Sequence, residues 1–155
     1  MDAKDVQIIR VLQENGRLSN QELSEKVNLS PSPCLRRLRL LEKQGVIKGY
    51  TALVDQKAYG LPLTVFIQVR LERHNTEAVR TFEQRVKMIP EIMDCYITTG
   101  GSDYLLRVVC QDLDAYEFFV RETLHNVPGI ASIDTSFAYS VVKQGHVFPE
   151  ISETQ

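Results

Sequence analysis

The sequence predicts an α+β chain in two parts: an N-terminal winged helix-turn-helix followed by a ferredoxin-like βαββαβ domain. Three observations predict it. Ser30 to Gly45, SPSPCLRRLRLLEKQG, forms a two-faced helix directly after a shorter capped one. Leu63 to Leu71 alternates strictly and opens a strand-helix-strand-strand-helix-strand order. Charge also divides along the chain: residues 1–60 hold ten basic and seven acidic residues, a net +3, and residues 61–155 hold eight and thirteen, a net −5. A basic head on an acidic body suits a polyanion-binding head.

In the head, Asp2 caps a first helix whose apolar stripe is Val6, Ile8, Ile9 and Leu12, and Asn15-Gly16 stops it. Ser19-Asn20-Gln21-Glu22 matches a capping box and starts a short second helix with Leu23 and Val27 inward. Leu29 plugs the turn, and Ser30 or Ser32 caps the third helix, where Pro31 and Pro33 are tolerated in the first turn. At 100° per residue from Leu35, Ser32, Arg36, Arg39 and Lys43 fall between roughly 40° and 100°. Cys34, Leu38 and Leu41 fall between roughly 240° and 300°, so one face packs while the other meets an anion. Arg37, near about 200°, lies off the cationic face and reads as a backbone or structural contact. Leu40, near about 140°, is expected to pack on the wing or connector. Gly45 ends the helix, and VIKGYTALV over 46–54 reads as a short hairpin, or wing.

The predicted domains are 1–54 (winged helix-turn-helix), 55–61 (connector), 62–143 (ferredoxin-like) and a polar tail over 144–155. In the second domain, Leu63, Val65, Ile67, Val69 and Leu71 share one strand face, with Thr64, Gln68 and Arg70 on the other. Thr76 to Met88 is an amphipathic helix ended by Pro90. Strands are expected over Ile92–Thr99 and Tyr104–Cys110. A second helix, capped by Asp112, turns Leu113, Tyr116, Val120, Leu124 and Val127 inward. The last strand is expected over Ile130–Val142, with Ile133, Phe137, Tyr139 and Val141 on one face. Helices cover one sheet face only, and apolar Phe66 and Ile130 on the other point to sheet-to-sheet dimerisation.

Composition excludes some classes. No run approaches the ~18 apolar residues of a membrane span, and MDAKDVQII lacks the marks of a signal peptide. Cys34, Cys95 and Cys110 share no CxxC spacing and favour free thiols in a reducing, cytoplasmic compartment. His74, His125 and His146 are scattered, and no nucleophile elbow or phosphate-binding glycine loop occurs, so no catalytic residue, metal site or cofactor is expected.

SPSPCLRRLRLLEKQGVIKGY, a connector and a βαββαβ unit carrying TGGSDYLLRV together resemble the leucine-responsive regulator/AsnC family of transcription factors. Asn15-Gly16-Arg17 and Gly45-Val46-Ile47 fit its pattern as well. The resemblance covers Asp2 to about Phe148. It implies a regulator that binds double-stranded DNA through Ser30, Ser32, Arg36, Arg37, Arg39 and Lys43. It also implies a homodimer through the C-terminal sheets, assembled as an octamer of four dimers, with an amino-acid effector between neighbouring dimers. The part of 62–143 in effector binding and oligomerisation follows from this resemblance. The effector is expected against the Gly100–Asp103 turn and a neighbour's last strand: Thr98, Thr99, Gly100, Gly101, Asp103 and Tyr104 on one side, Ser136, Phe137 and Ala138 on the other, with Ile97 as floor. Asp103 is expected to receive the effector's ammonium group or to order the loop. Two other classes compete: an effector-independent DNA-organising protein, and a small-molecule enzyme on a ferredoxin-like fold.

Overall fold

The computed structural model describes residues 1–149, in two units: residues 1–53 with 142–149, and residues 54–141. The predicted 144–155 tail is thus described only in part, since 150–155 lie outside the described residues.

In the first unit, α1 (Ala3–Glu14), α2 (Asn20–Lys26) and α3 (Pro31–Lys43) form where the capping signals place them. Asp2 and Asp5 make a reciprocal capping box at α1, and Ser19 and Glu22 make one at α2. Asn28 takes a left-handed φ of 52° between α2 and α3, and Leu29 follows it onto the core. That core is Ile8, Leu23, Val27, Cys34 and Leu41, one stripe from each helix. Ser30 caps α3 by position, but its hydroxyl makes no capping bond. Gly45, at φ 71°, closes α3, and the Val46 N–H donates back to Leu41 O at 3.0 Å.

Residues 46–54, expected to pair as a hairpin, form no strand ladder. A nine-residue hairpin with Gly49 at its centre is too short to hold one unaided. Ile47 instead packs on the helical core, and the Tyr50 hydroxyl donates to Glu42 at 2.9 Å. Leu40 does not pack as expected and is half exposed. The tail from Val142 groups with this unit: the Gln13 amide donates to His146 O at 3.2 Å, and the Phe148 N–H donates to Gln13 Oε1 at 3.4 Å.

In the second unit, β1 (Leu63–Leu71), α4 (Thr76–Val86), β2 (Ile92–Ile97), β3 (Tyr104–Cys110), α5 (Leu113–Phe118) and β4 (Ile130–Phe137) build one sheet of order β2-β3-β1-β4. All neighbours are antiparallel, with Val69 opposite Tyr104 on one side and Ile133 on the other. The predicted connector belongs to this unit, as the Gln56 amide donates to Leu61 O and to Thr64 Oγ1, at 2.6 and 2.9 Å. Val65, Ile67, Val69, Leu106 and Val108 are buried on one face with Phe82, Phe119 and Leu124. Phe66 stands on the other face, as expected. Ile130 does not: a bulge between Arg70 and Leu71 lets it pair with Leu71 and join the covered core.

Two expectations change here. The second helix is α only to Phe118, then opens into a π turn over Phe119–Thr123 and a 3₁₀ turn over Leu124–Asn126. Phe119 and Leu124, five apart, would sit about 140° apart on a regular helix. The widened turn brings both onto the core, while Leu113, expected inward, is exposed. β4 ends at Phe137, five residues early: the Ala138 N–H still donates to Thr64 O, and beyond it Tyr139 and Val141 are exposed.

Phe82 is fully buried, its ring centroid 4.6 Å from that of Tyr104. Phe82→Ala should destabilise the second unit by about 3–5 kcal/mol, read by denaturant titration of the circular dichroism signal.

Candidate functional site

The first candidate surface is the outer face of α3. Ser32, Arg36, Arg39 and Lys43 are all exposed, as the wheel requires, and Ser30 is exposed at the helix start. Among the described residues no carboxylate pairs with Arg36, Arg39 or Lys43. Three unpaired cations on one helical face form a site for a polyanion, with forked donors at the two arginines. Arg37 is used differently. Its Nη1 lies 2.7 Å from Asp2 Oδ2 and 2.8 Å from Asp5 Oδ1, so it ties α3 to the capping box of α1. The start of α3 is tied to α2 as well, by the Asn20 amide donating to Pro31 O at 2.9 Å.

The second candidate is the turn between β2 and β3. The Thr98 N–H donates to Asp103 O and the Asp103 N–H to Val69 O, both at 2.9 Å. The Thr98 hydroxyl donates to Ser102 O at 3.1 Å. Gly100 has φ +111°, a conformation that favours glycine. Within this frame, the N–H groups of Thr99, Gly100, Gly101 and Ser102 have no partner among the described residues. Consecutive free N–H groups make a concavity for an anion.

Asp103 orders this loop. Its Oδ2 accepts the Leu71 N–H at 2.8 Å, and its Oδ1 meets His74 Nε2 at 2.9 Å. The Leu71 N–H, ahead of the His74 ring and the Arg70 charge, holds its carboxyl below the usual carboxylate value. Arg70 donates from Nε to Gly101 O at 3.0 Å, and from Nη2 to the same oxygen. Sequence reading singled out neither Arg70 nor His74 for this turn. Their partners lie 31 and 29 residues away, and only the β1–β3 pairing brings the end of β1 beside the start of β3.

The other expected effector residues scatter. Ile97 is exposed at the end of β2. The Tyr104 side chain is buried, its hydroxyl donating to Glu83 at 3.0 Å, and burial pushes it up to about 12. Ser136 pairs opposite Phe66 on the open sheet face. Phe137 lies on the helix face, edge-on to Tyr116, and the Ala138 N–H donates to Thr64 O at 3.0 Å. Phe137 pairs with Val65 and Tyr104 with Val69, four residues apart on β1, roughly 13 Å at about 3.3 Å each. The turn and Ser136–Ala138 therefore lie at opposite ends of the sheet within one chain. A groove of about 470 Å³ beside β4, lined by Tyr116, Val120, Ile133 and Thr135 among others, includes none of the expected effector residues.

Chemistry elsewhere is sparse. Burial pushes the thiols of Cys34, Cys95 and Cys110 up, away from the reactive thiolate. Among the described residues no group of three His, Cys, Asp or Glu could hold a metal, and no helix is long and apolar enough to cross a membrane.

A helix-turn-helix head with a free cationic third helix, joined to a sheet domain with an open donor turn, defines a DNA-binding transcription regulator with a ligand-binding domain. Comparison with known proteins agrees. A winged helix-turn-helix DNA-binding model matches residues 1–48, and the Lrp/AsnC ligand binding domain model matches residues 64–148. The chain is similar to the Bkd operon transcriptional regulator of Pseudomonas aeruginosa, 42% identical over 92% of this chain and 93% of that protein. It is 40% identical to the leucine-responsive regulatory protein of Escherichia coli K12, over 94% of this chain and 89% of that protein. Among solved structures, a transcriptional regulator from Neisseria meningitidis in complex with L-Met superimposes with a TM-score of 0.91, at 42% identity and 96% coverage of both chains. The chain belongs to the Lrp/AsnC family of transcription regulators.

The Arg37 pairing generates a prediction. Arg37→Ala should lower the melting temperature of the head by releasing α1 from α3. It should leave the salt dependence of DNA binding nearly unchanged, as read by differential scanning fluorimetry alongside a gel-shift salt series.

Proposed function

We propose that this regulator reads duplex DNA with Ser30, Ser32, Arg36, Arg39 and Lys43 on α3, and that an α-amino acid bound at the 98–103 turn modulates that binding. Arg36 and Arg39 fork onto guanine or phosphate, while Lys43 supplies a point charge to the backbone. Arg37 acts on DNA only indirectly, by holding α3 against α1. The effector's carboxylate sits on the N–H groups of residues 99–102; that they have no partner among the described residues is the observation that carries this reading. The L-Met bound to the Neisseria meningitidis relative supports the ligand class.

Ser136, Phe137 and Ala138 reach that effector only from a second copy, because one chain holds them at the far end of its own sheet. The working protein is therefore a homo-oligomer, dimers formed through the open sheet face around Phe66 and gathered as four dimers, acting in the cytoplasm. Effector binding shifts the population among these arrangements, and DNA affinity follows by linkage. A catalytic role has no support from the thiols, whose pKa values are raised, or from the scattered histidines, which fits a family of regulators.

Two measurements test this reading. Replacing both cations, Arg36→Ala with Arg39→Ala, should weaken DNA binding at least about tenfold and reduce the salt slope by about 2. An unchanged slope would sink the assignment of α3. A calorimetric screen of the twenty L-amino acids should return heat for at least one. Silence across all twenty would overturn the amino-acid reading and favour a DNA-organising protein with no effector.

A further inference from the structure

We propose that Arg70 and His74, at and just beyond the end of β1, are positioning residues for the effector. They lock the 98–103 turn with its free N–H groups facing outward toward a single carboxylate. This rests on the reading of that turn as the effector site.

Arg70 grips the Gly101 carbonyl with two donors of its guanidinium. A trans peptide is planar, with its C=O and N–H pointing in opposite directions. Pinning the Gly101 oxygen toward β1 therefore aims the Ser102 N–H away from it. The next peptide is pinned at both ends: the Thr98 hydroxyl holds Ser102 O at 3.1 Å, and the Asp103 N–H reaches Val69 O at 2.9 Å. Little else restrains the preceding pair. Gly100 and Gly101 carry no side chain, and nothing lies within 4 Å of a Cβ built on Gly100. Without Arg70, the 101–102 peptide is free to flip, which would present a carbonyl oxygen where a carboxylate needs a donor.

His74 holds the far side of the same turn. Its Nε2 meets Asp103 Oδ1 at 2.9 Å, while the other carboxylate oxygen caps the Leu71 N–H. Asp103 brings a negative charge close to the proposed anion seat; the Arg70 guanidinium beside it offsets that charge, and the His74 ring holds the carboxylate by its Oδ1. A peptide-orienting arginine on a glycine pair and a histidine on the neighbouring carboxylate together form a two-point clamp on a donor loop.

The test uses the full-length chain and L-methionine as first probe, then the other nineteen L-amino acids. Arg70→Met keeps the stem and loses the donors, and should weaken binding at least tenfold. Arg70→Lys, which can still donate to the Gly101 carbonyl, should recover most of that loss. His74→Ala should weaken binding, and His74→Gln, with its side-chain amide donor, should restore it. Amide ¹⁵N relaxation without ligand should show Gly101 and Ser102 more mobile in Arg70→Met, with β1 and β3 unchanged. DNA binding without amino acid should match that of the wild-type protein. Wild-type binding with equal affinity in Arg70→Met, or a turn equally rigid in both, overturns the clamp alone. A wild-type protein that binds none of the twenty overturns the effector reading and the clamp with it.

Discussion

The second unit depends on β1 being central in register as well as in position. It pairs antiparallel with β3 on one side and β4 on the other, and its alternate residues Val65, Ile67 and Val69 are fully buried. A slip of one residue would turn that apolar set onto the open face and put Phe66 into the core. The same register sets Val69 against Tyr104 and so fixes where the β2–β3 turn emerges. Packing in the core and the placing of a surface loop thus come from one constraint. Asp103 completes it, since its carboxylate satisfies the Leu71 N–H where the strand runs out.

The head shows how neighbouring residues of one type divide their work. Arg36, Arg37 and Arg39 occupy almost consecutive positions, yet the helical repeat sends Arg37 inward to the carboxylates of Asp2 and Asp5. The two that remain have no partner among the described residues and are exposed. On α3 the helical angle separates the arginine that ties the helix to α1 from the two that stay exposed.

Much of this was legible in the sequence because the signals are local. The caps of α1 and α2, the proline-marked start of α3, and the alternation of β1 each involve residues a few positions apart, and all formed as read. What was not legible depends on distant partners. The π turn at Phe119–Thr123 follows from where the sheet needs Phe119 and Leu124, which a regular 3.6-residue repeat does not encode. β4 stops at Phe137, although Tyr139 and Val141 continue the alternation. Of the candidate site, the cationic face was readable by arithmetic alone, and the Gly100–Asp103 turn through family resemblance. Arg70 and His74 become visible only once the sheet order is known.

Pro31 and Pro33 have a consequence for the thermodynamics of recognition. Of residues 31–33 only Ser32 has an N–H, and both ring-locked φ angles already match a helix. The unfolded chain therefore has fewer conformations to give up at this point, and the first turn stands ordered before any duplex arrives. In the proposed DNA complex, association then forfeits little backbone freedom around Ser30 and Ser32. Discrimination between operators at this end of the helix should accordingly reside in contact enthalpy and released counterions, with a small share for induced ordering.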